Sequence, residues 1–502
     1  MLKDFKILKS IFLVSSISFF TKCIGFFREI IIAKYYGANW VTDAFFLAQN
    51  MPGLIFPSIC DSFGTSFISV YLNLDKKIEK KKFLLKSLMF LILLSIFLTL
   101  LAFIILPVIV KILAPGFPMK TLKLSIILSR ISMSYFSILM INTILISYLN
   151  AREKFSLSQV SWLIYNFILL LSIVIFPKDK ITYLCFSYFI SNFIQMIFLI
   201  KNSIKKFFNK KVFYTISHTL YDNNIKKLIR LTIPIILGNS FYQIQNIVDK
   251  ILVTYGTEGY LSALSYTFSI NNIVFGLCIS SIMTVIYPMI TKENNKIIKL
   301  KKIENIIKIL LTFILPISIF TYFYANEIVK IIYFRGLFDE NAIFKTSLFL
   351  KYYSIGYIFI ALKELFVKIF YSLGNSKTPM KNTIISIIVN ILSSIVLVMK
   401  IGVYGIAIGT VIASIISSLM LFLDFKLYFP NFCFKKQLII FIKNILSAFI
   451  SFYFFNILFL EKIKFKIDII NLFIKGILFL SFYIIILICL NYILKKIKIK
   501  IV

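Results

Sequence analysis

Long apolar runs, separated by short polar or Gly/Pro breaks, follow one another along the whole chain. A bilayer core requires about 20 mainly apolar residues per helix, and about fourteen runs meet that length. They cover residues 7–33, 41–73, 83–113, 121–149, 158–177, 181–201, 227–255, 259–290, 303–325, 342–373, 380–399, 403–428, 437–460 and 468–494. The pattern predicts an all-α polytopic membrane protein with about fourteen transmembrane helices, numbered here as helices 1 to 14.

Composition supports a membrane protein and argues against a cytosolic globular enzyme. Of 502 residues, 60% are hydrophobic and 15% charged, and the formal net charge is +36. On so apolar a chain, this charge favours cationic loops that face anionic lipid headgroups, and no nucleic-acid partner is expected. The six cysteines form no CxxC pair and are expected to be small core residues, so the sequence predicts no metal site and no cofactor.

The basic residues also predict the orientation of the helices. About 33 cations fall in one set of ends and loops and about 13 in the alternate set, which places both termini in the cytoplasm. The longest connection, residues 202–226, is basic and carries His218, which is expected to be a solvated loop residue.

A weak internal repeat divides the chain. Tyr36-Gly37 recurs as Tyr255-Gly256, and a Tyr-Leu-Asn motif at Tyr148 has a counterpart at Tyr371, both at an offset of about 220 residues. The repeat predicts a six-helix lobe over 1–201, a cytoplasmic loop over 202–226, a second six-helix lobe over 227–428, and two further helices with a basic tail over 429–502. Duplicated lobes of this kind usually enclose a central site.

Charged residues inside helix 1 are the first candidates for a binding site, because buried charges in membrane spans usually face a cavity or the bundle interior. Lys22, Gly25 and Glu29 lie within about 60° on a helix, and Arg28 lies about 120° from Lys22. They predict a cationic face near the end of the helix. A structural Lys22–Glu29 pair, or lysine reaching to the interface, is the alternative.

Helix 2 carries a polar face formed by Asp43, Asn50 and Asp61, with Pro57 on the same side. Pro and Gly residues also predict that this helix is bent or broken, which a membrane tolerates only where protein or water satisfies the backbone. They are Pro52, Gly53, Pro57 and Gly64. The face is therefore expected to line a cavity.

Three further helices carry polar residues at helical spacing. The candidates are Asn239, Gln243, Asn246, Asp249 and Lys250 in helix 7, Ser262, Ser265, Ser269 and Asn272 in helix 8, and Lys363, Glu364 and Lys368 in helix 10. In helix 8 the alternative is contact between packed helices, and in helix 10 it is an internal ion pair. Arg130 in helix 4 is a candidate phosphate ligand or an interfacial anchor.

A cavity with several cations suits an anionic amphiphile such as a lipid-linked phosphate or pyrophosphate. The chain has no Walker A motif, so an ion gradient or the membrane potential is the expected source of energy. A polytopic glycosyltransferase would need catalytic carboxylates in a sizeable external loop. The longest such loop, residues 325–341, offers Asp339 and Glu340 without a second acidic cluster, so the protein is not expected to be an enzyme.

Several motifs together resemble the MurJ/MviN lipid II flippases of the multidrug/oligosaccharidyl-lipid/polysaccharide exporter superfamily. The resemblance covers nearly the whole chain. It includes Gly25-Phe-Phe-Arg28-Glu29, Thr42-Asp43-Ala-Phe-Phe46, Ala114-Pro-Gly-Phe117, Arg130, Leu149-Asn150, Phe155, Asn166, Ser262-Ala-Leu264, Phe334-Arg-Gly-Leu-Phe338 and Tyr371-Ser-Leu-Gly-Asn-Ser-Lys-Thr-Pro379.

The resemblance implies a monomeric flippase in the bacterial inner membrane that moves undecaprenyl-pyrophosphate-linked peptidoglycan precursor by alternating access. It gives helices 13 and 14 the role of a groove for the lipid tail. By position, Lys22 replaces a usual arginine, Arg28 and Asp43 match the family, and Asp61 replaces a glutamate.

The chain departs from the family at three arginine positions. Phe56 and Pro57 stand where an Arg-Arg pair is usual, and Ser269 stands at the usual arginine of helix 8. Compensation by other cations is one interpretation, and the candidates are Lys250, Lys363 and Lys368. Transport of another lipid-linked oligosaccharide is the alternative, followed by drug or cation antiport.

Overall fold

A computed structural model describes residues 2–55, 57–177, 180–203, 222–280, 290, 293, 295–459 and 468–496. Within these ranges the chain forms eighteen α-helices and one π-helical segment, and no strand. The prediction of an all-α fold is confirmed. His218 and most of the loop predicted over 202–226 lie outside the described residues.

The first nine helices hold the apolar runs that precede residue 254. They are α1 (Leu2–Tyr36), α2 (Trp40–Ile55), α3 (Pro57–Leu72), α4 (Lys77–Leu113), α5 (Met119–Ser134), α6 (Phe136–Ala151), α7 (Phe155–Ile175), α8 (Thr182–Ser203) and α9 (Asn223–Val253).

The remaining helices complete the chain. They are α10 (Tyr260–Val274), continued by the π-helical segment Phe275–Ser280, then α11 (Lys296–Phe323), α12 (Ala325–Tyr333), α13 (Glu340–Ile355), α14 (Tyr357–Ser372), α15 (Lys377–Ile401), α16 (Gly405–Tyr428), α17 (Phe434–Phe459) and α18 (Asp468–Lys496).

Each predicted span overlaps one of these helices or two consecutive ones. Helix 2 is described as α2 and α3 on either side of residue 56, which lies outside the described residues, so the predicted bend or break stays a prediction. Helix 4 divides at Tyr135 and helix 10 divides at Gly356, so these divisions lie about 220 residues apart, like the sequence repeat. The short helix α12 was not predicted, because its nine residues fall below the length of a span.

Among the described residues, nine helical segments are long and apolar enough to cross a membrane. The predicted spans outside this group are helices 1, 2, 7, 8 and 10. These five carry nearly all of the charged and amide residues proposed for the site. The count of nine covers described residues only, and helices 1, 2, 7 and 8 each include residues outside that part of the chain.

Large apolar side chains are exposed on several helices, as expected of surfaces that face lipid rather than water. Ile104 of α4 is 80% exposed and Met399 of α15 is 83% exposed. The cysteines are divided: Cys60 and Cys185 are buried, whereas Cys433 and Cys489 are exposed, so the interpretation of the cysteines as core residues is wrong for the latter two.

The chain divides into two compact units. The first comprises residues 1–262 with 335–338, and the second comprises 263–334 with 339–502. In the second unit a buried apolar cluster joins α11, α14, α16 and α17, with Leu310, Phe366, Phe425 and Ile440 among its members. A smaller cluster around Phe479 packs α18 against α11 and α17. The predicted lobe boundaries stay a prediction.

Candidate functional site

Arg28 lies at the centre of a polar cluster inside the first unit. Its Nη2 donates to Glu29 Oε1 at 2.6 Å, and its Nε donates to the same oxygen at 3.1 Å. Its Nη1 donates to Asn166 Oδ1 of α7 at 3.3 Å. Both charged side chains are largely shielded, with 16% of Arg28 and 8% of Glu29 exposed. The cationic face predicted on helix 1 is therefore partly neutralised by its own helix.

Aromatic and amide groups from neighbouring helices surround this ion pair. The ring of Tyr188 in α8 lies 5.8 Å from Arg28 Cζ, a cation–π distance. Gln49 of α2 donates to the Tyr188 hydroxyl at 2.8 Å. A Cβ on Gly25 would lie 3.4 Å from Asn166 Oδ1, an ordinary van der Waals distance, so α1 packs directly against Asn166 at this point. Residues of α1, α7 and α8 thus contact the guanidinium, and α2 holds the tyrosine.

The cluster retains capacity for an anion. Three of the five guanidinium N–H groups take part in the bonds to Glu29 and Asn166. Glu29 Oε2 is also buried and has no hydrogen-bond partner among the described residues, so beside the remaining N–H groups lies an acceptor that a donor or a cation would satisfy. The alternative of a Lys22–Glu29 pair is wrong for the described structure, because Glu29 pairs with Arg28 and Lys22 is exposed on α1.

Asp43 has a different environment from Arg28. Its carboxylate accepts hydrogen bonds from Gly259 N at 2.6 Å, Ser262 N at 2.8 Å and Ser262 Oγ at 2.6 Å. These donors belong to the N-terminal turn of α10, which begins at Tyr260. A carboxylate at a helix N-terminus satisfies amide groups that lack partners and interacts favourably with the helix dipole. Asp43 therefore caps α10 from another helix.

Two glycine contacts with the same offset accompany this cap. A Cβ on Gly116 would lie 2.2 Å from Thr254 O, at the end of α9, and a Cβ on Gly336 would lie 2.2 Å from Lys34 O, near the end of α1. Gly336 lies about 220 positions after Gly116, and Lys34 lies about 220 positions before Thr254, so the sequence repeat relates the two contacts. Each contact brings two backbones together more closely than any side chain would allow.

Two further glycines complete this group. A Cβ on Gly37 would lie 2.4 Å from Leu337 O, and one on Gly259 would lie 2.4 Å from Ala38 O. We call Gly37, Gly116, Gly259 and Gly336 the glycine clasp. Gly37, Gly116 and Gly336 lie in motifs recognised in the sequence, but their partners were not predicted, because each partner is distant in the chain.

The remaining candidates of the first unit show no described contact with the Arg28 cluster or with the Asp43 cap. Asn50 Nδ2 donates within its own helix to Phe46 O at 2.6 Å. Asp61 and Arg130 are exposed on α3 and α5. Three candidates on α9 are partly buried, and they are Gln243, Asn246 and Lys250.

Three candidates belong to the second unit. Ser269 Oγ donates to Ser265 O within α10 at 3.2 Å. Lys363 and Lys368 are partly buried on α14. Over the described part of the chain, no three His, Cys, Asp or Glu residues are grouped so that they would hold a metal ion.

An all-helical chain with apolar spans, and with charged residues inside several of its helices, has the construction of a polytopic membrane transporter. The family model described as lipid II flippase MurJ matches residues 32–491. The chain therefore belongs to the MurJ lipid II flippase family.

Individual relatives agree with this assignment. The chain is 28% identical over 429 residues to a probable lipid II flippase MurJ from Buchnera aphidicola subsp. Acyrthosiphon pisum, covering 83% of each chain. It is 26% identical to the probable lipid II flippase MurJ of Rickettsia prowazekii, covering 91% of this chain and 92% of the relative.

Solved structures show the same fold. A structure of lipid II flippase MurJ in an inward closed conformation matches with a TM-score of 0.81 and 23% identity, covering 97% of this chain and 99% of the other. An inward-facing MATE family transporter of the MOP superfamily matches with a TM-score of 0.67 and 14% identity, covering 84% of this chain and 98% of the other.

Proposed function

We propose that this protein is a lipid II flippase, which moves undecaprenyl-pyrophosphate-linked peptidoglycan precursor from the cytoplasmic to the outer leaflet of the bacterial inner membrane by alternating access. Membership of the MurJ family over most of the chain supports the cargo. The observation that carries the chemistry is the shielded Arg28 guanidinium within a membrane helix, with N–H groups left for a further acceptor.

Arg28 binds the pyrophosphate in this proposal. A guanidinium matches phosphate oxygens with two parallel hydrogen bonds, and such bonds are strong where water is scarce. Glu29 competes for the same guanidinium at 2.6 Å, so binding and release of the cargo exchange one anion for another. Lys22, six residues earlier on α1, adds a second cation at the exposed side of that helix.

The other cations compensate for the arginines that the family usually has at the positions of Phe56, Pro57 and Ser269. Lys250 is partly buried on α9, and Lys363 and Lys368 are partly buried on α14. Because lysine offers a point charge rather than a planar fork, this arrangement holds the pyrophosphate less rigidly than arginines would. Asn50, Asp61, Gln243 and Asn246 supply further polar lining.

Asp43 and the glycine clasp keep the outer end of the transport path closed in this proposal. The contacts join the ends of α1 and α9 to loops of the opposite repeat, within the first unit. Backbone contacts of this kind break together when the helices separate, so they suit a two-state element. Alternating access then requires the Asp43 cap to open when the cargo leaves.

The remaining parts of the proposal concern energy and surroundings. An ion gradient or the membrane potential drives the cycle, the protein acts as a monomer, and both termini lie in the cytoplasm. The helix pair α17 and α18 holds the lipid tail. Exposed apolar side chains on this pair, such as Ile442 and Ile484, support that role.

Complementation tests the proposal directly. The chain is expressed in bacteria depleted of their own lipid II flippase, and survival is scored together with lipid II in the outer leaflet. Rescue with lipid II outside is expected. If a correctly inserted protein fails to rescue, the cargo assignment is wrong and other lipid-linked oligosaccharides are tested in its place.

Arg28 variants test the site within the same assay. Arg28→Ala is expected to abolish rescue, and Arg28→Lys is expected to reduce it strongly, because the planar fork is lost. Arg152→Ala is the matched control, since Arg152 also lies near a tyrosine ring, at 5.7 Å from Tyr148, but outside the cluster. Full rescue by Arg28→Ala at wild-type protein levels would exclude Arg28 from the substrate site.

A further inference from the structure

Lys443 is a buried cation in the C-terminal helix pair. The residue is 7% exposed, and its ammonium group donates to Asn491 Oδ1 of α18 at 2.5 Å. Among the described residues it forms no ion pair with a carboxylate. A neutral amide orients an ammonium group but leaves its charge uncompensated, which is costly in or near a membrane.

The helices around Lys443 are held by a network of neutral hydrogen bonds. Tyr483 of α18 donates to Asn444 Oδ1 of α17 at 2.7 Å and lies 3.1 Å from Thr312 O of α11. Ser447 Oγ donates to the carbonyl oxygen of Lys443 itself. These bonds fix three helices around the ammonium group, so its position is built into the fold.

A second lysine adds to the positive charge. Lys308, exposed on α11, lies close enough to Lys443 to interact electrostatically with it. The nearby carboxylate of Glu304 is engaged by Lys436 at 3.6 Å. The surface between α11 and α17 therefore has a surplus of cations, and no described acid neutralises either Lys308 or Lys443.

Lys443 lies in the N-terminal half of α17, and its partner Asn491 lies in the last turns of the described part of α18. Asn491 lies five residues before Lys496, the last described residue of α18, which is about 7 Å along a helix. Lys435 and Lys436 begin α17 on the same side. A lysine side chain can extend its charge toward lipid headgroups while its stem stays in apolar surroundings. Asn491, which holds the Lys443 ammonium group, is exposed, so a lipid phosphate can approach this pair.

We propose that Lys443, Lys308 and Asn491 form a binding site for a lipid-borne phosphate on the outside of the helix pair. An acidic phospholipid of the surrounding leaflet is the expected ligand, because its phosphodiester carries the missing negative charge and its acyl chains match the exposed apolar residues of α17 and α18. The site does not depend on the transport reaction. The pyrophosphate of a prenyl lipid has the same chemistry, and the experiment separates the two sources.

Binding is measured on the purified full-length protein in detergent, by native mass spectrometry and by the shift in unfolding temperature. The probes are phosphatidylglycerol, phosphatidylcholine and farnesyl pyrophosphate. We expect phosphatidylglycerol to bind in preference to phosphatidylcholine. Lys443→Gln should weaken it about tenfold, the loss of one charge-assisted hydrogen bond, and Lys308→Gln should weaken it less.

Asn491→Asp gives an independent test, because it keeps the lysine and supplies a carboxylate that competes with the lipid phosphate. It should weaken phosphatidylglycerol binding as much as Lys443→Gln, whereas Lys443→Arg should bind like the wild type. Lys435→Gln, an interfacial lysine of the same helix, is the matched control and should change binding less than about twofold.

The outcomes show whether the site exists and which of the two lipids it binds. Selective loss of phosphatidylglycerol in both variants supports a phospholipid site. Loss of farnesyl pyrophosphate with unchanged phosphatidylglycerol supports the site and assigns it to the carrier lipid. The proposal is overturned if Lys443→Gln and Asn491→Asp bind phosphatidylglycerol and farnesyl pyrophosphate as the wild type does. Each variant must also unfold, without ligand, at a temperature near that of the wild type.

Discussion

Gly336→Ala tests whether the glycine clasp closes the outer end of the protein. Gly336 has φ of +63°, and a Cβ there would lie 2.2 Å from Lys34 O. Such a distance is impossible, so the loop or the end of α1 must move. The neighbouring bond from Leu337 N to Lys34 O, at 2.9 Å, would be lost in that movement.

The expected cost has two parts. An alanine in the left-handed region costs about 1–2 kcal/mol. Loss of the Leu337 hydrogen bond adds about 1 kcal/mol, which applies only to the closed arrangement. The second part shifts the equilibrium between closed and open by about fivefold, since 1.4 kcal/mol is about tenfold.

Gly402→Ala separates the backbone cost of the left-handed region from the cost of losing the clasp contact. Gly402 has φ of +73°, and nothing lies within 4 Å of an added Cβ. It therefore carries the backbone cost of the left-handed region without the collision. Both variants should lower the unfolding temperature, but only Gly336→Ala should open the clasp.

The assay uses Thr254→Cys in a cysteine-free background, because Thr254 is 1% exposed and lies under Gly116. A membrane-impermeant maleimide applied from outside labels this thiol when the contact opens. Gly336→Ala should raise the labelling rate about fivefold, in line with the shift in population. Equal rates for the Gly336 and Gly402 variants would refute the assignment of the clasp as a closing element.

Two further predictions concern single charges. Asp43→Asn should open the outer end that the glycine clasp closes, because the amide places a donor against the N–H groups of α10. The rate of thiol labelling at Thr254→Cys should rise at least about tenfold. Asp61→Asn is the control and should leave that rate unchanged, since Asp61 is an exposed acid of the same predicted helix. Partial burial of Asp222 opposes its ionisation, but hydrogen bonds from Lys86 at 2.6 Å and from Asn224 N lower the pKa of this carboxyl below its ordinary value. The resulting stability is present above pH about 4 and is lost as the pH falls through the lowered pKa, so unfolding temperatures should drop in acid, and Lys86→Gln should reduce that drop.

The order of apolar runs determined the helical architecture. The helical architecture and the positions of the spans follow from residue type at fixed spacing, since a helix needs only its own backbone hydrogen bonds and an apolar surface. Arg28 was predicted as a functional charge and lies in the polar cluster described above.

The partners of these side chains were decided by tertiary structure. Adjacent residues on a helix do not face each other, so spacing favoured Lys22 as the partner of Glu29, yet Asn166 and Tyr188 hold Arg28 where it reaches Glu29. Asp43 bonds to amides more than 200 residues away. Helical periodicity specifies the direction of a side chain on its own helix, whereas the groups that meet it depend on how distant helices pack.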